Sequence, residues 1–160
     1  MKKAALLLLA LLALLALAGC VSYTPPSPSP LATPSSDAQA KQFAPPQGKG
    51  NLYVSRPGEL TIFGKPTPYG VTLDGKEVGG IMPGMYYCFA LEPGNHVLLA
   101  ASKDGTQSVT VRVEAGKNYY YQLTASTENN KTKLSLALVI LEPMGKLMIN
   151  NTKRGRAAVE

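Results

Sequence analysis

Short apolar runs alternate with glycine-containing turn pairs along residues 71–117. The turn pairs are Asp74-Gly75, Pro83-Gly84, Pro93-Gly94, Asp104-Gly105 and Ala115-Gly116, whose glycines stand nine, ten, eleven and eleven residues apart. This spacing is typical of consecutive antiparallel strands joined by tight turns, and Asp-Gly pairs supply the positive φ angles of a type I′ hairpin. The pattern therefore predicts a sheet domain built largely from hairpins.

Within these runs, the alternation of apolar and polar residues assigns side chains to the two faces of each predicted strand. Val109, Val111 and Val113 share an inner face, whereas Arg112 falls on the wet face. With further strands at residues 52–56 and 134–140, we expect about seven or eight short strands in an all-β fold, an antiparallel β-sandwich. Residues 144–149 fit either a short helix or an edge strand.

The first residues of the chain have the composition of a signal peptide. Lys2 and Lys3 precede fifteen apolar residues at positions 4–18. A membrane-spanning helix needs about 20 apolar residues, so a cleaved secretory leader fits this run better than a permanent anchor. The run ends in Leu17-Ala18-Gly19-Cys20.

This ending resembles the lipobox of bacterial lipoproteins, in which an aliphatic residue and two small residues precede a cysteine. The resemblance implies a signal peptide at residues 1–19, cleavage between Gly19 and Cys20, and a diacylglyceryl thioether with further acylation on Cys20. Several acyl chains anchor a protein firmly in a membrane. By analogy with that family, Val21 in place of Asp favours the outer membrane, facing the periplasm.

Composition divides the remaining chain into three parts. Residues 20–48 hold seven of the thirteen prolines and few large apolar residues, so we expect the acylated cysteine to be followed by a disordered linker. Residues 49–150 form the sandwich, and residues 151–160 form a basic flexible tail. Without Lys2 and Lys3, 14 basic and 10 acidic residues remain, scattered along the chain, which argues against a nucleic-acid partner.

Few residues offer chemistry for catalysis or metal binding. His96 is the only histidine, and its position after Pro93-Gly94 favours a hydrogen-bonded residue that closes a turn. Cys20 and Cys88 are the only cysteines; the count allows a disulfide, but lipidation would occupy Cys20, and Cys88 in an apolar run is typical of a small buried hydrophobe. We therefore expect a protein that is not an enzyme and that uses no cofactor or metal.

The turn motifs of the domain resemble those of a family of small bacterial lipoproteins built on a domain of unknown function. More distantly, they resemble PEGA-type and carboxypeptidase-regulatory-like sandwiches. Neither resemblance implies a catalytic residue, and the glycines of the motifs account for turn geometry. The matching segments are GNLYVSRP at 50–57, LDGKEVG at 73–79, GMY at 84–86, LEPGNH at 91–96 and AGKNYYY at 115–121.

One group of residues suggests an interaction surface. Tyr120 falls on the outward face of its predicted strand, and Arg112 and Tyr86 are candidates for the same surface. Tyr and Arg are enriched at protein interfaces and can stack on sugars. Ordinary cross-strand pairing is the alternative. We expect a lipid-anchored envelope lipoprotein whose sandwich binds or scaffolds another envelope protein. The alternative is a peptidoglycan-binding module, and an envelope enzyme is a distant third.

Overall fold

The computed structural model describes residues 23–58 and 65–158. Gly19 and Cys20 lie outside these ranges. The described ranges contain the following helices and strands: α1 Pro34–Ala40, β1 Gly50–Arg56, β2 Tyr69–Leu73, β3 Lys76–Ile81, β4 Met85–Leu91, β5 Gly94–Ser102, β6 Gly105–Val113, β7 Asn118–Glu128, β8 Lys131–Leu138, α2 Glu142–Asn150 and β9 Lys153–Arg154.

The strands form two packed sheets, so the predicted all-β sandwich is confirmed. One sheet has the order β8-β7-β1-β4-β9 and the other β3-β2-β5-β6. Most pairs are antiparallel, but β1 runs parallel to β7, and β9 runs parallel to β4. The first hairpin forms at the predicted turn, where Asp74 and Gly75 have φ angles of 50° and 76°.

An apolar core lies between the two sheets. It is formed by the inward residues of both, including Leu52, Val54, Leu98 and Leu123, which are fully buried. Val111 and Val113 are buried on the inner face of β6, as their alternation predicts. Burying one such side chain contributes about 1.5–3 kcal/mol, and this core is the main stabilising element of the sandwich.

Residues 23–48 pack against the sandwich, so the expectation of a disordered linker is wrong for this segment. Residues 27–32, here called the strap, bridge the two sheets. The Ser29 N–H donates to the carbonyl of Gly80 in β3 at 2.9 Å, and the Ala32 N–H donates to that of Arg154 in β9 at 2.9 Å. Prolines favour the extended backbone that such a bridge needs, and a side chain at position 80 would collide with Ser27, since a Cβ there would lie 2.5 Å from the Ser27 carbonyl oxygen.

Helix α1 follows the strap and begins at a conventional cap. The Thr33 side chain accepts a hydrogen bond from the Ser36 N–H at 3.3 Å, and Pro34 occupies the first turn. Residues 144–149, for which the sequence allowed a short helix or an edge strand, lie in helix α2. Pro143 lies in the first turn of this helix.

The C-terminal residues are also ordered as far as position 158, so the expected flexible tail is wrong for residues 151–158. Lys153 and Arg154 form β9, which pairs with Met85 and Tyr86 of β4. The Ala158 N–H donates to the carbonyl of Val78 at 2.9 Å. Backbone pairing with exposed sheet edges, which composition does not reveal, holds this segment in place.

Candidate functional site

Three tyrosines form a layer on the outer face of the five-stranded sheet. Tyr53 of β1 lies between Tyr120 of the adjacent strand β7 and Tyr86 of the adjacent strand β4, and each of the three is at most 2% exposed. The rings of Tyr53 and Tyr120 stack with centroids 5.2 Å apart and an interplanar angle of 14°. Phe43 packs on Tyr53 with centroids 5.5 Å apart. We call these four residues the tyrosine layer.

The two helices cover the tyrosine layer. Ala40 of α1 and Ile149 of α2 belong to the same buried cluster as the three tyrosines. Gly145 lies directly on Tyr120, because a Cβ at position 145 would come within 2.5 Å of Cδ2 of that ring. Glycine at this position thus lets α2 approach the sheet closely.

Hydrogen bonds from the tyrosines attach α1 to the sheet. The Tyr53 hydroxyl donates to the carbonyl of Ala40 at 2.8 Å, and the Tyr86 hydroxyl donates to Oδ1 of Asp37 at 2.9 Å. Burial raises the pKa of Tyr53, Tyr86 and Tyr120 above the usual range of a phenol. These hydroxyls therefore stay protonated at neutral pH.

Asp37 joins three elements of the fold. Besides Tyr86, it accepts a hydrogen bond from the Arg154 N–H at 3.0 Å and forms an ion pair with Lys41 at 2.9 Å. Burial alone would raise the pKa of Asp37, but its hydrogen bonds with Lys41, Tyr86 and Arg154 outweigh burial and lower the pKa. Asp37 is therefore ionised at neutral pH.

The predicted surface of Arg112, Tyr120 and Tyr86 does not exist as one exposed face. Arg112 is exposed on β6 of the four-stranded sheet, whereas both tyrosines are buried on the five-stranded sheet beneath the helices. The prediction was wrong because residues from both ends of the chain cover the outer face of that sheet. Rings buried in this way cannot stack on a sugar, so the peptidoglycan alternative loses its basis in tyrosine faces.

Sequence reasoning missed a group of exposed apolar residues beside the tyrosine layer, here called the α2 patch. Its members and their exposed fractions are Ile140 at 85%, Leu141 at 65%, Met144 at 55% and Leu147 at 53%. The spacing of 141, 144 and 147 places Met144 and Leu147 on one face of α2, in line with Leu141 at its N-cap. This spacing is the signal that could have revealed the patch; Ile140 was instead expected in the last strand, which ends at Leu138.

The α2 patch is apolar at its centre and charged at its flank. Lys146 forms an ion pair with Glu142 at 3.0 Å across one turn of the same helix. An apolar group with a polar border is typical of sites that contact another protein. Because α2 is held on Tyr120 through Gly145 and Ile149, the patch is presented on a packed support.

A cleft of about 550 Å³ lies beside α1 and is lined by residues that include Cys88, Arg154, Lys49 and Lys76. The Arg154 guanidinium donates to the carbonyl of Ser36 at 3.1 Å and so contributes to the packing of α1. Burial raises the pKa of the Cys88 thiol despite opposing effects from Tyr53 and Arg154. A thiol with a raised pKa is a poor nucleophile.

His96 closes a turn, as its position predicted. Its Nδ1 lies 2.7 Å from Oδ2 of Asp74, and its Nε2 lies 2.9 Å from the carbonyl oxygen of Glu92. Burial alone would lower the pKa of His96, but these two acceptors outweigh burial and raise the pKa. Both ring nitrogens are engaged in structural contacts.

Within residues 23–58 and 65–158, no group of three or more His, Cys, Asp or Glu side chains is placed to hold a metal ion. Across the same two ranges, every helix is too short or too polar to cross a bilayer.

Comparison with known proteins identifies relatives of the domain. A Haemophilus influenzae protein named only as an uncharacterized protein is 27% identical over 92 residues, which are 57% of this chain and 53% of that protein. The chain thus spans about half the length of this relative. Residues 46–135 match the family described as protein of unknown function, DUF2846. This match confirms the predicted resemblance to a family built on a domain of unknown function. Because it covers more than half of the chain, the protein belongs to the DUF2846 family.

Proposed function

We propose that this protein is a lipid-anchored lipoprotein of the bacterial envelope, in which the sandwich is a non-catalytic module that binds another envelope protein through the α2 patch. The observation that carries the proposal is the exposure of Met144 and Leu147 on a helix that is packed on the sheet, and of Ile140 and Leu141 directly before that helix. The anchor is inferred from Leu17-Ala18-Gly19-Cys20, which resembles a lipobox.

The energetics of the α2 patch suit a modest protein interface. Full burial of an aliphatic or methionine side chain contributes about 1.5–3 kcal/mol, so each half-exposed member would contribute roughly 1–2 kcal/mol on binding. Ile140, at 85% exposed, has the largest fraction left to bury. Such a cluster can act as the centre of a hot spot. Met144 can adapt its flexible side chain to the shape of the partner.

The partner chemistry follows from the same residues. An apolar groove or ridge would cover Leu141, Met144 and Leu147, and polar groups at its border would face the Glu142–Lys146 ion pair. Because that pair is internal to the helix and balanced in charge, the contact is expected to depend weakly on salt.

Crosslinking in cells tests this proposal. A photoreactive amino acid at position 147 should give a specific adduct with an envelope protein, and the same group at position 112, exposed on the other sheet, should not. The adduct should be lost when Ile140→Ser and Met144→Ser are added. Equal adducts from both positions, or adducts that survive the two serines, would contradict the assignment of the α2 patch.

Mass spectrometry of the mature protein tests the anchor separately. We expect the N-terminal residue to be an acylated Cys20, and Cys20→Ser to abolish both the acylation and membrane fractionation. A bare thiol at position 20 in the native protein would refute the lipoprotein assignment, whatever the crosslinking shows.

A further inference from the structure

The packing of the strap changes where a lipid anchor would hold the domain. Tyr23 is the first residue that the structure describes and lies three residues after Cys20. Three residues of extended chain reach at most about 11 Å. If Cys20 is acylated, as the proposed function states, the part of the sandwich around Tyr23 must lie close to the bilayer surface.

Tyr23 lies at one end of the sandwich, here called the turn end, where the β5–β6 and β7–β8 turns meet. A pocket of about 420 Å³ at this end is lined by residues that include Tyr23, Tyr69, Lys103 and Thr132. The Tyr23 side chain is 40% exposed, so it is available for contact. Aromatic rings of this kind favour the interface between water and lipid headgroups.

The charge of the turn end is positive. The lysines there are Lys103, Lys131 and Lys133, against two acids, Asp104 and Glu128, which gives a net charge of +1 (three minus two). The side chains of Lys103 and Lys133 are 70% and 71% exposed. Asp104 is only 16% exposed and accepts a hydrogen bond from the Thr132 N–H at 2.7 Å, so its charge is partly satisfied within the fold.

The opposite end of the sandwich differs in charge. There, Lys49 pairs with Glu92 at 3.1 Å, and Lys117 pairs with Glu114 at 2.7 Å. These pairs balance. At the turn end, Lys103 pairs with Asp104 at 3.9 Å and Lys133 pairs with Glu128 at 3.3 Å, which leaves Lys131 as the excess positive charge. Lysines close to an anionic bilayer are attracted to it within about one Debye length, which is about 8 Å at physiological salt.

We infer that, in the acylated protein, the turn end lies against a bilayer surface that carries anionic phospholipid headgroups. The lysines of the turn end and the Tyr23 ring contact the headgroups. The α2 patch then lies away from the membrane, because β8 starts at Lys131 in the turn end and runs about 25 Å over its length before reaching Ile140. Membrane contact and partner binding thus use opposite ends of the domain.

Tryptophan fluorescence can test this orientation, since the chain has no tryptophan. Tyr23→Trp and Ile140→Trp would be made in the full, acylated protein and placed in vesicles of phosphatidylethanolamine and phosphatidylglycerol that contain a phospholipid with a nitroxide on its headgroup. We expect quenching to be several-fold stronger for the tryptophan at position 23. Equal quenching, or stronger quenching at position 140, would overturn the inference.

Charge reversal tests the role of the lysines. In the Tyr23→Trp protein, Lys103→Glu with Lys131→Glu should lower the quenching at least twofold, and so should vesicles without phosphatidylglycerol. Lys49→Glu with Lys117→Glu, at the opposite end, is the matched control and should leave the quenching unchanged. If both pairs behave alike, or the anionic lipid has no effect, the assignment of an anionic surface is refuted.

The outcomes separate this inference from the proposed function. A protein whose Cys20 is not acylated refutes both. An acylated protein with the reverse orientation refutes only the assignment of the turn end and leaves the lipoprotein proposal standing.

Discussion

The two faces of the five-stranded sheet are both buried, but by different parts of the chain. The inner face carries residues such as Leu52, Val54 and Leu123 and packs against the second sheet. The outer face carries Tyr53, Tyr86 and Tyr120 and packs against two short helices contributed by segments before β1 and after β8. The hairpins of the second sheet therefore cover the inner face, and segments distant in sequence cover the outer face.

The chemistry of the two faces differs accordingly. Burial of apolar surface between the sheets stabilises the inner layer, and this stabilisation does not depend on a specific hydrogen-bond partner. In the outer layer, the Tyr53 and Tyr86 hydroxyls each need an acceptor on α1, namely the Ala40 carbonyl and Asp37. We therefore expect the inner layer to respond mainly to lost volume and the outer layer to lost hydrogen bonds.

The largest effect is expected in the inner layer. Leu98→Ala removes a fully buried side chain between the sheets and should lower the free energy of unfolding by about 2–5 kcal/mol, through lost burial and the cavity left behind. Val97→Ala, at the adjacent position that is 46% exposed, is the matched control and should cost much less. Urea denaturation measures both variants. Similar losses in the two would show that the inner layer is not the main core.

The next effect tests the attachment of α1 to the tyrosine layer. Asp37→Ala removes the acceptor of the Tyr86 hydroxyl and of the Arg154 N–H, and should lower the free energy of unfolding by about 1–3 kcal/mol. Because the pKa of Asp37 is lowered in the fold, its contribution is present above its ordinary value of 3.8 and is lost as the pH falls through the lowered pKa.

Ser35→Ala, in the same helix with an exposed hydroxyl, serves as the control for Asp37→Ala. Amide hydrogen exchange should show faster exchange across α1 in Asp37→Ala and little change in Ser35→Ala. Unchanged protection of α1 in Asp37→Ala would mean that packing alone holds the helix.

A smaller effect distinguishes two tyrosines of the same layer. Tyr53→Phe removes the hydrogen bond to the Ala40 carbonyl and should cost about 0.5–1.5 kcal/mol in unfolding free energy. Tyr120→Phe should be neutral or slightly stabilising, because among the described residues the buried Tyr120 hydroxyl has no hydrogen-bond partner. Thermal or urea unfolding of the two variants measures the difference, and equal losses would contradict it.

The smallest effect concerns pH at the rim of the inner layer, where Asp74 pairs with His96. Burial alone would raise the pKa of Asp74, but its hydrogen bonds with His96 and the Val97 N–H and the nearby positive charges outweigh burial and lower the pKa. The pKa of His96 is raised. The pair therefore stabilises the fold fully between the ordinary values of 3.8 and 6.5 and loses its contribution as the pH rises through the raised pKa of His96.

Because the Asp74 side chain is 42% exposed, this contribution should stay below about 1 kcal/mol. The unfolding free energy should decline between pH 6 and 9 in the native protein and decline less in His96→Gln. His96 is the only histidine, so an unchanged decline in the variant would assign it to another group. The tyrosine layer should add nothing in this range, since the pKa values of its hydroxyls are raised out of it.

The alternation of residues predicted the sandwich, the Asp74-Gly75 hairpin and the inner face of β6, because each depends on neighbours in sequence. It did not predict what covers Tyr120. Alternation predicts on which face of its strand a side chain lies, but not what packs on that face. The outer face is covered by α1 and α2, two short helices. Helices of such length are unstable alone and form through tertiary packing, so their local signal is weak.

The strap was missed for a related reason. Its prolines and serines cannot build a core, and composition of this kind is typical of disorder. Its stability comes instead from backbone hydrogen bonds to Gly80 and Arg154, two acceptors that only the finished fold brings within reach.

The strap has a consequence for how molecules of this protein meet one another. Edge strands with unpaired amides are templates on which a second molecule can add a strand, and repetition of that step leads to fibres or amorphous aggregates. Residues 27–32 occupy the open edges of β3 and β9 at the same time, although they lie outside the family match, which begins at residue 46. A short, apparently featureless stretch thereby occupies the backbone groups on which a second copy could otherwise add a strand at these two edges.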